Sequence, residues 1–179
     1  MNLEEILNVI KPHYPNAIID SLVDCITYKI EEVEDGETKE CTEYRISLKN
    51  DKILLTEDIS EYYWDNYEKR YKFDMYDDSN HHTYTTAIIE NNLFELKQAL
   101  NIEVTWEELV EYATGLGFKK VAETSEEGIC YKIGRVYIWK FHMIDINDVE
   151  FGGRTYYQMY SALKNLIEGG MDGIKSTVF

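Results

Sequence analysis

The sequence predicts an α+β fold, an antiparallel sheet or sheets with helices packed on the faces. Three observations carry this. Stretches of period two come in consecutive runs rather than alternating singly with helices. Short turn signals, Asp35-Gly36, Asn50-Asp51 and Gly134-Arg135, separate neighbouring strand-like runs. Capping boxes open two helices in the second half, at Thr105-Trp106-Glu107-Glu108 and Thr155-Tyr156-Tyr157-Gln158.

The elements follow in order. Leu3, Ile6, Leu7 and Ile10 share one face of a short helix over 3–11, with Asn2 and Glu5 as its cap pair, and Pro12 and Pro15 stop it. Residues 17–23 extend this as a further helical turn. Alternation then predicts strands over 25–33, 41–48 and 53–55, a three-stranded meander. A helix is expected from 58 to about 66 and a strand over 67–75, followed by a polar loop over 77–83. Ile89, Leu93, Leu96 and Leu100 recur at helical spacing, so 87–100 reads as a helix with Thr86 as cap. After the helix opened by Thr105, strands are expected over 118–122, 129–133 and 136–144. In the last of these Tyr137, Trp139, Phe141 and Met143 share a face opposite Val136, Ile138 and Ile144. A final helix runs to about Glu168, and Gly169-Gly170 ends it. The chain is read as one compact domain over 1–179, with two similar helix–three-strand–helix halves, 1–84 and 85–179, as the finer expectation.

At 179 residues the chain is long enough to bury roughly two thirds of its unfolded surface. Its cysteines, Cys25, Cys41 and Cys130, are odd in number and form no CxxC pair. That argues against a disulfide framework or a structural zinc and fits a reducing compartment. Cys25 and Cys41 are expected to face each other across a hairpin as packed thiols. The start, Met-Asn-Leu-Glu-Glu, lacks the basic and apolar segments of a signal peptide, and no apolar run has the length of a membrane span. A cytoplasmic protein is expected.

Charge and tyrosine dominate the functional reading. The formal net charge is -16 and there are 15 tyrosines. Residues 1–100 hold 22 acids against 10 lysines and arginines, so the first half carries most of the field. Such a field repels free nucleic acid and favours a basic protein partner. Two acidic stretches are the candidate contacts: Glu31, Glu32, Glu34, Asp35 and Glu37 at a hairpin end, and Glu57, Asp58 and Glu61 ahead of an aromatic run. Glu31, Glu37 and Glu43 are expected to gather at one end of the sheet. The aromatic run, Tyr62, Tyr63 and Trp64 with Asp65 and Tyr67, supplies ring surface that one helix face cannot wholly bury, and Tyr and Trp anchor interfaces well.

These observations predict a non-catalytic binding or inhibitor protein with no cofactor. It would engage a basic, nucleic-acid-binding protein as a mimic of nucleic acid, without binding nucleic acid or membrane itself. In size, charge and compactness the chain resembles phage-encoded anti-restriction and anti-CRISPR proteins and acidic toxin-immunity proteins, a resemblance that covers no motif and carries over no residues. Two alternatives stand beside it. Asp77, Asp78, His81 and His82 have the ligand chemistry of a metal-dependent enzyme, although they crowd into one polar loop. Alternatively, the charge serves solubility alone in an accessory structural domain. His13 and His142 have no nucleophile at a recognisable spacing. Gly152-Gly153-Arg154 follows an acidic stretch and reads as a flexible lead-in to the last helix rather than a phosphate cradle.

Overall fold

A computed structural model describes residues 1–73, 80–121 and 128–168. Asp77, Asp78 and the expected Gly169-Gly170 helix stop lie outside the described residues. The chain divides into two compact units, Met1–Leu100 and Asn101–Phe179. Each combines helices with an antiparallel sheet, an α+β architecture.

The first unit contains α1 (Leu3–Ile10), β1 (Ile18–Asp20), β2 (Cys25–Glu34), β3 (Thr38–Lys49), β4 (Lys52–Asp65), β5 (Arg70–Phe73), β6 (His81–Glu90) and α2 (Leu93–Ala99). The strands pair in the order β1-β2-β3-β4-β5, and β6 also pairs with β4. β5 and β6 lie along the same side of β4, with Phe73 opposite Tyr62 and His81 opposite Ser60. Asn50 and Asp51 both take positive φ, 52° and 59°, in the two-residue turn that joins β3 to β4. Asn and Asp tolerate that left-handed geometry better than other residues with a side chain, and it matches the strand twist.

Paired residues share a sheet face. The front face carries Ile26, Ile46, Ile53 and Leu55 at its inner end. Ile26, Ile46 and Ile53 are fully buried, as are Ile6 and Ile10 of α1 and Leu96 of α2. Asn2 and Glu5 form the reciprocal capping box at the start of α1. The buried apolar side chains occupy only this inner end, and β3 and β4 run on past it as a long, partly exposed blade.

The second unit contains α3 (Trp106–Gly115), β7 (Lys119–Lys120), β8 (Cys130–Ile133), β9 (Val136–Trp139), β10 (Met143–Ile146), β11 (Val149–Phe151) and α4 (Tyr156–Glu168). Its sheet is a meander in the order β11-β10-β9-β8-β7, with β9 central. Thr105 and Glu108 cap α3 reciprocally, and Thr155 and Gln158 do the same for α4. The core joins Val136, Ile138 and Ile144 to Trp106, Leu109, Met159 and Leu163. Tyr112 and Tyr160 meet edge to face at 4.9 Å between the two helices.

Several expectations are corrected. The halves are not copies of a helix–three-strand–helix unit: among the described residues the first sheet has six strands and the second has five. The expected helix over 58–66 is the outer part of β4. Ile59 and Tyr63 are four residues apart, a spacing that shares a helix face but equally shares a strand face, because four is even. The run holds three consecutive aromatics, Tyr62, Tyr63 and Trp64, and is paired on both sides, which favours the strand. Residues 18–20 are a strand, not a helical turn. The expected helix over 87–100 begins only at Leu93, capped by Asn92, while 81–90 is strand. The strand expected over 136–144 folds at Lys140–His142 into a hairpin, and Trp139 pairs with Met143. Cys25 lies opposite Ser47 and Cys41 opposite Glu32, so they do not face each other, and all three cysteines are free thiols. Burial pushes the thiol pKa of each upward, which keeps it in the unreactive protonated form. Among the described residues, no helix is long and apolar enough to cross a membrane.

Candidate functional site

The thirteen residues proposed for partner binding fall on β2, β4 and the turns beside them, but strand alternation divides them. Glu31, Glu57, Glu61, Tyr63 and Asp65 lie on the front face of the blade. Glu32, Glu34, Asp58, Tyr62 and Trp64 lie on the back. Asp35 and Glu37 sit in the β2–β3 turn, and Tyr67 sits in the β4–β5 turn, almost fully exposed. Glu43 pairs with Ile30 and Asp58 on the back face, so the expected gathering of Glu31, Glu37 and Glu43 does not form.

The back face neutralises itself. Arg45 bonds the carboxylate of Glu43 through Nε at 3.1 Å and Nη2 at 2.6 Å, and its Nη1 bonds Asp58. Asp58 is 5% exposed and also accepts from the Thr83 hydroxyl at 2.5 Å. Lys39 pairs with Glu32 at 2.8 Å and approaches Glu34 at 3.7 Å. Farther out, Tyr62 packs on Phe73 and Trp64 meets Tyr71 edge to face, with centroids 5.6 and 5.1 Å apart. These rings close the outer back face with their own neighbours.

The front face is built in rows across the strands. Lys29, Tyr44, Glu57 and Tyr84 form one row, and Glu31, Thr42, Ile59 and His82 form the next. Val33, Glu40 and Glu61 follow, and then Thr38, Tyr63 and Lys72. Successive rows advance by two residues, about 6.6 Å along the blade. Glu40 and Glu61 are directly opposed and both exposed. Like charges in that position repel and cost stability. Among the described residues, no lysine, arginine or histidine lies within ion-pairing distance of Glu40, Glu57 or Glu61.

Tyrosines occupy the same face. The Tyr44 hydroxyl donates to Glu31 at 2.7 Å, which with the nearby carboxylates pushes its pKa up to about 12. Tyr28, beside the bulge in β2, is pushed up to about 12 by burial first and then by Tyr14, Glu57 and Tyr44. Both phenols therefore remain hydrogen-bond donors near neutral pH. Lys29 pairs with Glu31 at 2.5 Å and lies over the Tyr44 ring. At the outer end Lys72 and the backbone amides of Glu68 and Tyr67 hold the Asp65 carboxyl down at about 2.

Adjacent residues on opposite faces have separable roles. Tyr63 is 44% exposed on the front, whereas Trp64 is half-buried against Tyr71. Trp64→Ala is expected to lower stability by about 1–3 kcal/mol. Tyr63→Ala is expected to change it by less than about 0.5 kcal/mol. Urea denaturation of the two single variants checks this, and equal losses would mean that Tyr63 is packed.

Glu40, Tyr44 and Tyr84 were not among the proposed contacts. Alternation over 41–48 already set Tyr44 on one strand face. Tyr84 was hidden by reading 77–83 as loop and 87–100 as helix. For the metal alternative, His81 and His82 are consecutive in β6 and oppose Ser60 and Ile59, so they point to opposite faces. No group of three or more metal-ligating side chains occurs among the described residues.

In the second unit His142 takes positive φ, 61°, in the β9–β10 turn. Its ring stacks on Tyr156 at 4.2 Å, and its Nδ1 lies 3.0 Å from the Arg154 carbonyl. Arg154 N–H donates to the His142 carbonyl. This clasp ties the turn to the start of α4, whose first amides Thr155 already caps. Comparison with family models, curated proteins and solved structures finds no match, so the geometry of the blade alone carries the functional reading.

Proposed function

We propose that the front face of the first unit's blade is a binding surface for a basic protein whose own ligand is nucleic acid. Glu31, Glu40, Glu57 and Glu61 stand in for phosphates, and Tyr44, Tyr63 and Tyr84 supply anchoring rings. The protein acts by occupancy rather than catalysis, in the manner of an anti-defence inhibitor or a toxin-immunity protein. Asp35, Glu37 and Tyr67 extend the surface at the tip.

The observation that carries this reading is the unequal treatment of the two faces. Back-face carboxylates are matched by Arg45 and Lys39, whereas on the front face Lys29 and Lys72 match only Glu31 and Asp65, and Glu40 is opposed to Glu61 without a cation among the described residues. Solubility needs net charge but does not need repelling carboxylates paired across strands. A cationic partner would relieve that repulsion, and charge would steer its approach.

The double variant Glu40→Gln/Glu61→Gln tests this. Its stability should rise by about 0.2–1 kcal/mol, because a like-charge pair is removed. Retention of basic proteins from nuclease-treated lysate should fall, and the salt concentration that elutes the remainder should drop. Unchanged retention and elution would leave the charge with solubility alone.

A further inference from the structure

The two sides of the first sheet end in differently built edges. Beyond Thr27 the outer side of β2 pairs with no strand among the described residues. Residues 29–34 there include Lys29, Glu31, Glu32 and Glu34. Charges at that density keep an edge from pairing with its own copy.

The opposite edge is β6. It pairs with β4 along its whole length, from His81 to Glu90, and no strand among the described residues pairs with its other side. From His81 to Ile89 it contains no lysine, arginine, aspartate, glutamate or proline. Thr83, Thr85, Thr86, Ile88 and Ile89 are β-branched, and Tyr84 and Ile88 are 53% and 65% exposed. A long, uncharged, β-prone edge is a template for strand addition.

We propose that β6 pairs antiparallel with β6 of a second copy of this chain about a two-fold axis, joining two sheets into one. Charge selects this occupant. In a chain with 34 acids against 18 lysines and arginines, an uncharged edge lets two copies meet without opposing like charges along the seam. A two-fold axis presents the same strand from both sides, so no second sequence has to be matched. A cationic strand would gain no complementarity from this edge. The inference does not depend on the proposed partner surface and has the opposite salt response. Repulsion between the acidic bodies opposes the dimer, so added salt strengthens it, whereas salt weakens binding to a basic protein.

Sedimentation velocity of the full chain across protein and salt concentration tests this. A dimer is expected whose population grows with salt. Thr85→Lys/Ile88→Lys should be monomeric over the range in which the unsubstituted chain dimerises, with its circular dichroism unchanged. Val33→Lys, on the β2 edge, should still dimerise. Should the double variant fail to fold, hydrogen exchange of the unsubstituted chain decides: amides of β6 should gain protection as the dimer forms. A chain that stays monomeric throughout, a dimer that survives the two lysines, or a dimer that leaves β6 amides unprotected would overturn the proposal.

Discussion

Arg45→Ala is expected to destabilise the first unit by about 3–5 kcal/mol, the cost of leaving a buried carboxylate without its cation. Asp58 is 5% exposed, and among the described residues its side chain's other hydrogen bond is from the Thr83 hydroxyl. Arg45 spans β3 and β4 through Glu43 and Asp58, so the substitution also leaves Glu43 without its cation. Asp58→Asn alone should cost less, because the amide keeps a hydrogen bond to Thr83 and buries no charge. Replacing both Arg45 and Asp58 with apolar residues of similar size should recover much of the loss, because an absent ion pair costs less than a broken one. Chemical denaturation of the two single variants and the double variant forms the cycle. If Arg45→Ala costs less than about 1 kcal/mol, water reaches Asp58 and the pair is a surface pair.

Trp106→Ala is expected to cost about 3–5 kcal/mol in the second unit. Trp106 is the first residue of α3 and 7% exposed, and its ring lies against Tyr131 at 6.1 Å and Tyr156 at 5.6 Å. Truncation removes a large buried surface and two ring contacts at once, and helix, strand and helix cannot all close the gap. Trp106→Phe keeps a ring in place and should cost roughly half as much. Near-ultraviolet circular dichroism should lose intensity in the Ala variant, because Tyr131 and Tyr156 lose an ordered neighbour. A loss under about 1 kcal/mol would mean that the site collapses around the smaller side chain.

The sequence was most legible where chemistry is local. The capping pairs Asn2/Glu5, Thr105/Glu108 and Thr155/Gln158 all form, because each needs only residues three apart. The turns at Asn50-Asp51 and Gly134-Arg135 are likewise where local backbone preference puts them. The alternation that set Val136, Ile138 and Ile144 opposite Tyr137 and Trp139 also holds. Errors fell where two periods coincide. Ile59 with Tyr63 and Ile89 with Leu93 have a spacing that suits a helix or one strand face, and long-range pairing with β3 and β6 decides the first while Asn92 caps the second. The candidate site was legible in composition but not in arrangement. Acids and tyrosines were visible, yet which carboxylates Arg45 and Lys39 neutralise depends on a register that no single segment contains.

The turn at Asn50-Asp51 also bears on the kinetics of folding. Among the described residues, every strand pair except β4 with β6 joins neighbours in the chain, so few long loops have to close before contacts form. The Asn50-Asp51 turn brings together the two longest strands, β3 and β4, with the smallest loss of chain entropy available to them. In the finished sheet β2 lies against one side of that hairpin and β5 and β6 against the other. A hairpin closed by so short a reversal is expected to form early, so substitutions at Asn50 and Asp51 should slow refolding more than they speed unfolding, which stopped-flow kinetics would measure.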